Sequence, residues 1–176
     1  MKGKGKVSFS SQRVGIFVDV QNLYHSAKNL HRGRVNYNEL MRHLVGDRQL
    51  IRAMAYVVKS DAVQDTRTGE ESFFDALEKA GLELRHKDLQ VYPDGQKKAD
   101  WDVGLAVDAI RMASFLDVVI LVTGDGDFVP LVNYLKWGQG KLVEVAAFRN
   151  SSSTKLVEVA DRFINIEDIP RSIIRK

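Results

Sequence analysis

Four aspartates occupy positions from which side chains can do chemistry: Asp19, Asp102, Asp125 and Asp127. The segment Thr123-Gly124-Asp125-Gly126-Asp127-Phe128 directly follows the apolar run 118–123. It sets two carboxylates one glycine apart in a tight turn, and glycine permits unusual backbone angles and close ligand approach. Carboxylates this close repel, and a bound cation relieves the repulsion. Asp127 has a structural alternative as the cap of a following helix. Asp19 lies one residue before the end of the apolar run 14–20. A carboxylate buried there is costly unless it is paired, hydrogen-bonded or metal-bound. It either faces a ligand crevice or caps the next turn, with Asn22 close by at the start of a helix.

The third segment is helical. Val103, Ala106, Val107 and Ile110 repeat at the spacing of a core face. Asp102 falls at the edge of that face, in the first turn. Asp100 is a rival, as N-cap or as ligand. Asp108 points to the other side, so a structural role comes first for it.

Positioning these residues requires a sheet. Apolar β-type runs at 14–20, 51–58, 82–86, 118–123, 141–147 and 163–166 alternate with helical stretches at about 21–29, 37–44, 70–80, 100–113, 127–135 and 156–160. That alternation predicts an α/β domain with a mainly parallel sheet. Asn36 or Asn38 is the candidate cap of the second helix. With strand order about 3-2-1-4-5, the chain reverses direction between strands 1 and 4. Ligands bind at such switch points, beyond the carboxyl ends of the strands. The four aspartates then share one crevice. All-oxygen ligands suit a hard cation, Mg²⁺ or Mn²⁺, and one or two such ions beside a phosphate could activate water and stabilise the leaving oxygen in phosphodiester hydrolysis.

Composition bounds the rest. The 176 residues are 44% hydrophobic, enough for one compact domain. We divide them into a basic flexible arm at 1–12, a single domain at 13–168 and a basic tail at 169–176. No apolar run is long enough to span a membrane, and there is no cysteine, so neither disulfides nor thiolate sites are available. A cytoplasmic protein with no membrane partner is expected. The net charge of +3 is a mild excess. Its basic clusters, including Lys97 and Lys98, form either a solvated surface or a phosphate-binding rim. A homodimer fits the sequence, although no segment specifies one.

Asp19-x-x-Asn22, Asp102-Val-Gly-Leu-Ala-Val-Asp108 and Val122-Thr-Gly-Asp-Gly-Asp-Phe128 together resemble the NYN domains, the LabA-like (DUF88) group of the PIN-like nuclease superfamily. The resemblance runs from about Arg13 to Ile166. It implies a PIN-like three-layer α/β/α sandwich, divalent-metal binding and cleavage of RNA, single-stranded or structured. Asp19, Asp102, Asp125 and Asp127 match the acidic centre. By the same match Asn22 orients a metal-bound water or a phosphate, Thr123 is the small hydroxyl residue before the Gly-Asp step, and Lys97 and Lys98 contact the RNA backbone. Asp108 matches a recurrent aspartate of secondary weight. The Ala99-Asp100-Trp101 stretch departs from the pattern and leaves Asp100 and Asp102 both open. A catalytically quiet RNA-binding or regulatory module is the alternative. A haloacid-dehalogenase-like phosphatase fits poorly, because Asp19-Val20-Gln21 lacks its second aspartate. A dinucleotide enzyme fits worse, because no glycine-rich loop follows the first strand.

Overall fold

The computed structural model describes residues 8–59, 67–88, 90–95, 97–98 and 100–175. The first strand, β1 (Arg13–Asp19), is buried on both faces and leads into α1 (Val20–His31). A short β2 (Gly33–Val35) and α2 (Tyr37–Val45) follow, with Asn36 capping α2 through Glu39 N–H. Then come β3 (Gln49–Lys59), α3 (Arg67–Lys79) and β4 (Glu83–Asp88). A small antiparallel ribbon pairs β5 (Gln90–Val91) with β6 (Lys97–Lys98) around the Pro93-Asp94-Gly95 turn. After α4 (Asp102–Met112) the chain runs through β7 (Val118–Val122), α5 (Val129–Asn133), β8 (Leu142–Ala147), α6 (Thr154–Val159), β9 (Arg162–Asn165) and β10 (Ile173–Arg175).

Six strands form one sheet in the order β4-β3-β1-β7-β8-β9, and every neighbouring pair is parallel. This is the expected order, with β9 added at the edge. Side chains alternate across it. Val14, Ile16 and Val18 pack under α1 and α2, while Phe17 and Tyr56 pack with α4 and α5 on the opposite face. Helices therefore cover both faces of the parallel sheet, as its apolar strands require. Residues 173–175, within the stretch read as a basic tail, pair antiparallel with β2. Residues 1–7 lie outside the described residues.

The expected core face of α4 is corrected. Val103, Val107 and Ile110 are exposed, whereas Leu105, Asp108 and Ala109 are buried. Two apolar stripes run along this helix, and apolarity alone cannot choose between them. Packing chooses the stripe with small residues, because Ala109 and Ala113 let α4 lie close to the sheet. Gly104 contributes to the same fit: a Cβ there would stand 2.5 Å from the Trp101 ring. Asp108 is tolerated inward because it is fully partnered. It accepts from Tyr56 OH at 2.9 Å and from Arg85 Nη2 at 3.2 Å.

Candidate metal centre

The chain reverses between β1 and β7, which lie side by side with Val18 opposite Val122. Asp19 pairs in register with Tyr56 of β3. A cleft of about 400 Å³ opens above these strand ends. Asp19, Asp100, Asp102, Asp125 and Asp127 line it, together with Gln21, Asn22, Tyr56 and Trp101.

Each carboxylate arrives by a local rule. Asp19 is the N-cap of α1, its Oδ1 accepting from Asn22 N–H at 3.1 Å. Its Oδ2 accepts from the Thr123 hydroxyl at 3.1 Å. Asp19 thus both caps the helix and faces the cleft, so the two readings of the sequence coexist in one side chain. Asp125, rather than Asp127, caps the single 3₁₀ turn that follows, accepting from Asp127 N–H at 2.9 Å. That leaves the Asp127 carboxylate exposed at the cleft mouth. Asp102 opens α4, and its N–H donates to Asp100 Oδ1 at 2.7 Å. Both rivals therefore line the cleft.

Three of these carboxylates converge. Asp102, Asp125 and Asp127 each offer an oxygen atom, and the three atoms lie within 4.8 Å of one another. The donor set is all carboxylate, which fits a hard divalent cation. The electrostatics fit as well. Burial, the hydrogen bond and charge of Asp100, and the charges of Asp125 and Asp19 push the Asp102 carboxyl up to about 7. Burial also raises Asp19, against the opposing bonds from Asn22 and Thr123. Negative charge is thus crowded here beyond what the protein's own donors satisfy, and a cation would relieve it.

Neighbouring residues hold this arrangement in place. Thr123 is completely buried, and its hydroxyl also accepts from Asp125 N–H at 3.2 Å. It lies beneath the cleft and ties Asp19 to the acidic turn. The Asn22 side-chain oxygen accepts from Gly124 N–H at 3.0 Å, linking α1 to the same turn. The glycines are needed for close approach to the loop beneath them. A Cβ on Gly124 would stand 2.9 Å from Ser151 O, and one on Gly126 would stand 2.8 Å from Ser153 Oγ. Residues 151–153 therefore buttress the acidic turn from below, and Ser153 N–H donates to Gly124 O at 2.9 Å. Asp108 does not line the cleft. It anchors α4 to β3 and β4 through Tyr56 and Arg85. Lys97 and Lys98 sit in the ribbon β5–β6 at backbone level, and their side chains lie outside the described residues.

Sequence reading did not single out Gln21, Tyr56 or Lys87. Tyr56 had one usable signal, a hydroxyl in an apolar strand near its carboxyl end. Lys87 Nζ donates to Asp100 O at 2.7 Å and lies 5.6 Å above the Trp101 ring. Trp101 in turn donates its indole N–H to Val57 O at 2.9 Å, pinning the start of α4 to β3.

Fold and site together define an α/β/α domain with an acidic, cation-suited cleft at the switch point of a parallel sheet. The NYN domain model matches residues 13–167, and the chain belongs to that family of PIN-like nuclease domains. It is similar to the Low amplitude and bright protein LabA of Synechococcus elongatus, with 26% identity covering 97% of this chain and 91% of the relative. It is also similar to the crystal structure of a protein of unknown function from Vibrio parahaemolyticus. That likeness has 32% identity and a TM-score of 0.84, over 96% of this chain and 100% of the other.

Proposed function

We propose that this protein is a divalent-metal-dependent ribonuclease that hydrolyses RNA phosphodiester bonds. The carrying observation is the convergence of Asp102, Asp125 and Asp127 beside Asp19 in one cleft. Family membership supports the same reading. The described residues that line the cleft include no lysine or arginine, so the cleft by itself repels a polyanion. A bound Mg²⁺ or Mn²⁺ supplies the missing positive charge, polarises a phosphoryl oxygen and acidifies water.

The chain's own residues then have distinct roles. Asp102, Asp125 and Asp127 would hold the ion. Asp19, fixed by Asn22 N–H and Thr123, adds negative charge at the floor and can accept a proton from attacking water. Thr123 and Asn22 keep β1, α1 and the acidic turn at fixed separation. Lys97 and Lys98, close in sequence to Asp100 and Asp102, would take the RNA backbone. No helix among the described residues is long and apolar enough to cross a membrane, and we assign the activity to the cytoplasm.

The test is incubation of purified protein with labelled single-stranded RNA in Mn²⁺, Mg²⁺ or EDTA. Cleavage in either metal that stops in EDTA is the expected result. Binding without cleavage, across metals and substrates, would replace the hydrolase with a catalytically quiet RNA-binding module.

A further inference from the structure

A second cavity, of about 430 Å³, lies beside the acidic cleft, between the first turns of α1, the end of β3 and α3. Val57, Tyr24, His25, Phe73 and Phe74 line it, and Gln21 lines both cavities. The two therefore adjoin at one side chain. The acidic cleft is lined mainly by carboxylate and amide side chains, while its neighbour is walled by aromatic rings. Tyr24 is 48% exposed, on the surface of the helix that Asp19 caps. Phe73 and Phe74 are half-buried, in contact with each other, and Phe73 is backed by Tyr37. The rings on the α3 side are thus held by the core, and the Tyr24 ring, edge-on to His25, stays half-exposed across from them.

We propose that this cavity is a nucleobase subsite, holding the unstacked base of a nucleotide next to the phosphate in the acidic cleft. The inference rests on the reading of that cleft as an RNA-cleaving centre. Three observations select a base as occupant. First, Asp19 and Tyr24 are five residues apart on one helix, about 7.5 Å along its axis, within reach of a single nucleotide of an extended strand. Second, sequence-tolerant recognition of single-stranded RNA uses aromatic stacking, and the walls here are aromatic. Third, the polar side chains that line the cavity, Gln21, His25 and Glu70, suit a base edge. Gln21 and His25 offer donors and acceptors at the rim. Lys28 Nζ lies 5.8 Å from the Tyr24 ring centre, which puts a positive charge beside the ring that would stack on the base.

The test is a binding cycle. A six-nucleotide single-stranded RNA, and versions carrying one abasic site at each successive position, are titrated by fluorescence anisotropy in Ca²⁺. Wild type, Tyr24→Ala and Tyr24→Trp are compared, with folding checked by circular dichroism. One position is expected at which losing the base weakens wild-type binding about tenfold. The same loss should cost Tyr24→Ala less than about twofold, and Tyr24→Trp should restore the dependence. Cleavage of the intact RNA in Mg²⁺ is scored separately. Base-dependent binding through Tyr24 without cleavage rejects the hydrolase and keeps the subsite. Undetectable binding, or equal losses in wild type and Tyr24→Ala at every position, overturns the subsite whether or not RNA is cut.

Discussion

At the scale of single residues, Asp102 is where a proton and a divalent cation would compete. Its carboxyl is pushed up to about 7 by burial, by Asp100 and by the other aspartates. A ligand must lose its proton before it binds metal. Mn²⁺ affinity, measured by calorimetry, is therefore expected to rise as pH increases through about 7 and to level off above it. Stability of the metal-free protein follows the opposite sign. A carboxyl raised on folding stabilises below its unfolded value and loses that contribution as pH climbs through its folded value. The melting temperature without metal should fall between about pH 4 and pH 7, and Mn²⁺ should raise it most at the alkaline end. A flat profile in both measurements would contradict the crowding of charge in this cleft. Thr123 gives a second expectation. Thr123→Val keeps the shape but leaves Asp19 Oδ2 and Asp125 N–H without a partner. A loss of about 1–3 kcal/mol in denaturant unfolding is expected, with slower cleavage from the part that remains folded.

At the scale of elements, the acidic turn depends on the loop beneath it. Gly124→Ala places a methyl group against the Ser151 carbonyl oxygen and the Ser152 backbone. Backbone cannot yield as a flexible side-chain end can, so about 1–3 kcal/mol of destabilisation is expected, together with weaker Mn²⁺ binding as the turn shifts. Gly126→Ala meets only the Ser153 side chain. It should be relieved by adding Ser153→Ala, a rescue that Gly124→Ala should not show. Unfolding curves of the four variants decide it. This buttress could not be read from the sequence. Gly-Asp-Gly-Asp identified the turn because two glycines and two carboxylates are a local pattern. What the glycines touch is separated from them by β8 and has no local signature. The inner face of α4 was likewise hidden, because Val103 and Val107 are as apolar as Leu105 and Ala109. By contrast, Asp19, Asn36 and the order of the main strands were legible, since caps and continuous apolar runs are written in adjacent residues.

At the scale of the whole molecule, long-range pairs hold the layers in register. Arg48, just before β3, meets Glu144 of β8 in a bidentate pair at 2.8 and 3.1 Å, with side chains 4% and 6% exposed. Removing one member strands a buried charge. Glu144→Ala should cost about 3–5 kcal/mol in equilibrium unfolding, and Mn²⁺ affinity of the folded fraction should stay near wild type because the pair is remote from the acidic cleft. The pairing of β2 with β10 joins residues about 140 apart in the chain, and neither strand is long enough to announce itself. The switch point, in contrast, follows from the strand order alone. It brings Asp19, Asp102, Asp125 and Asp127 together from three distant segments. The most direct test of that convergence is the initial rate of single-stranded RNA cleavage across a Mn²⁺ titration, for wild type and for folded Asp125→Asn. A saturable, Mn²⁺-dependent rate in wild type is expected, reduced about a hundredfold or more in Asp125→Asn, since even a residue that only supports a metal ligand costs 10–100-fold. Equal rates in the two proteins at every Mn²⁺ concentration would contradict a metal held by this cluster.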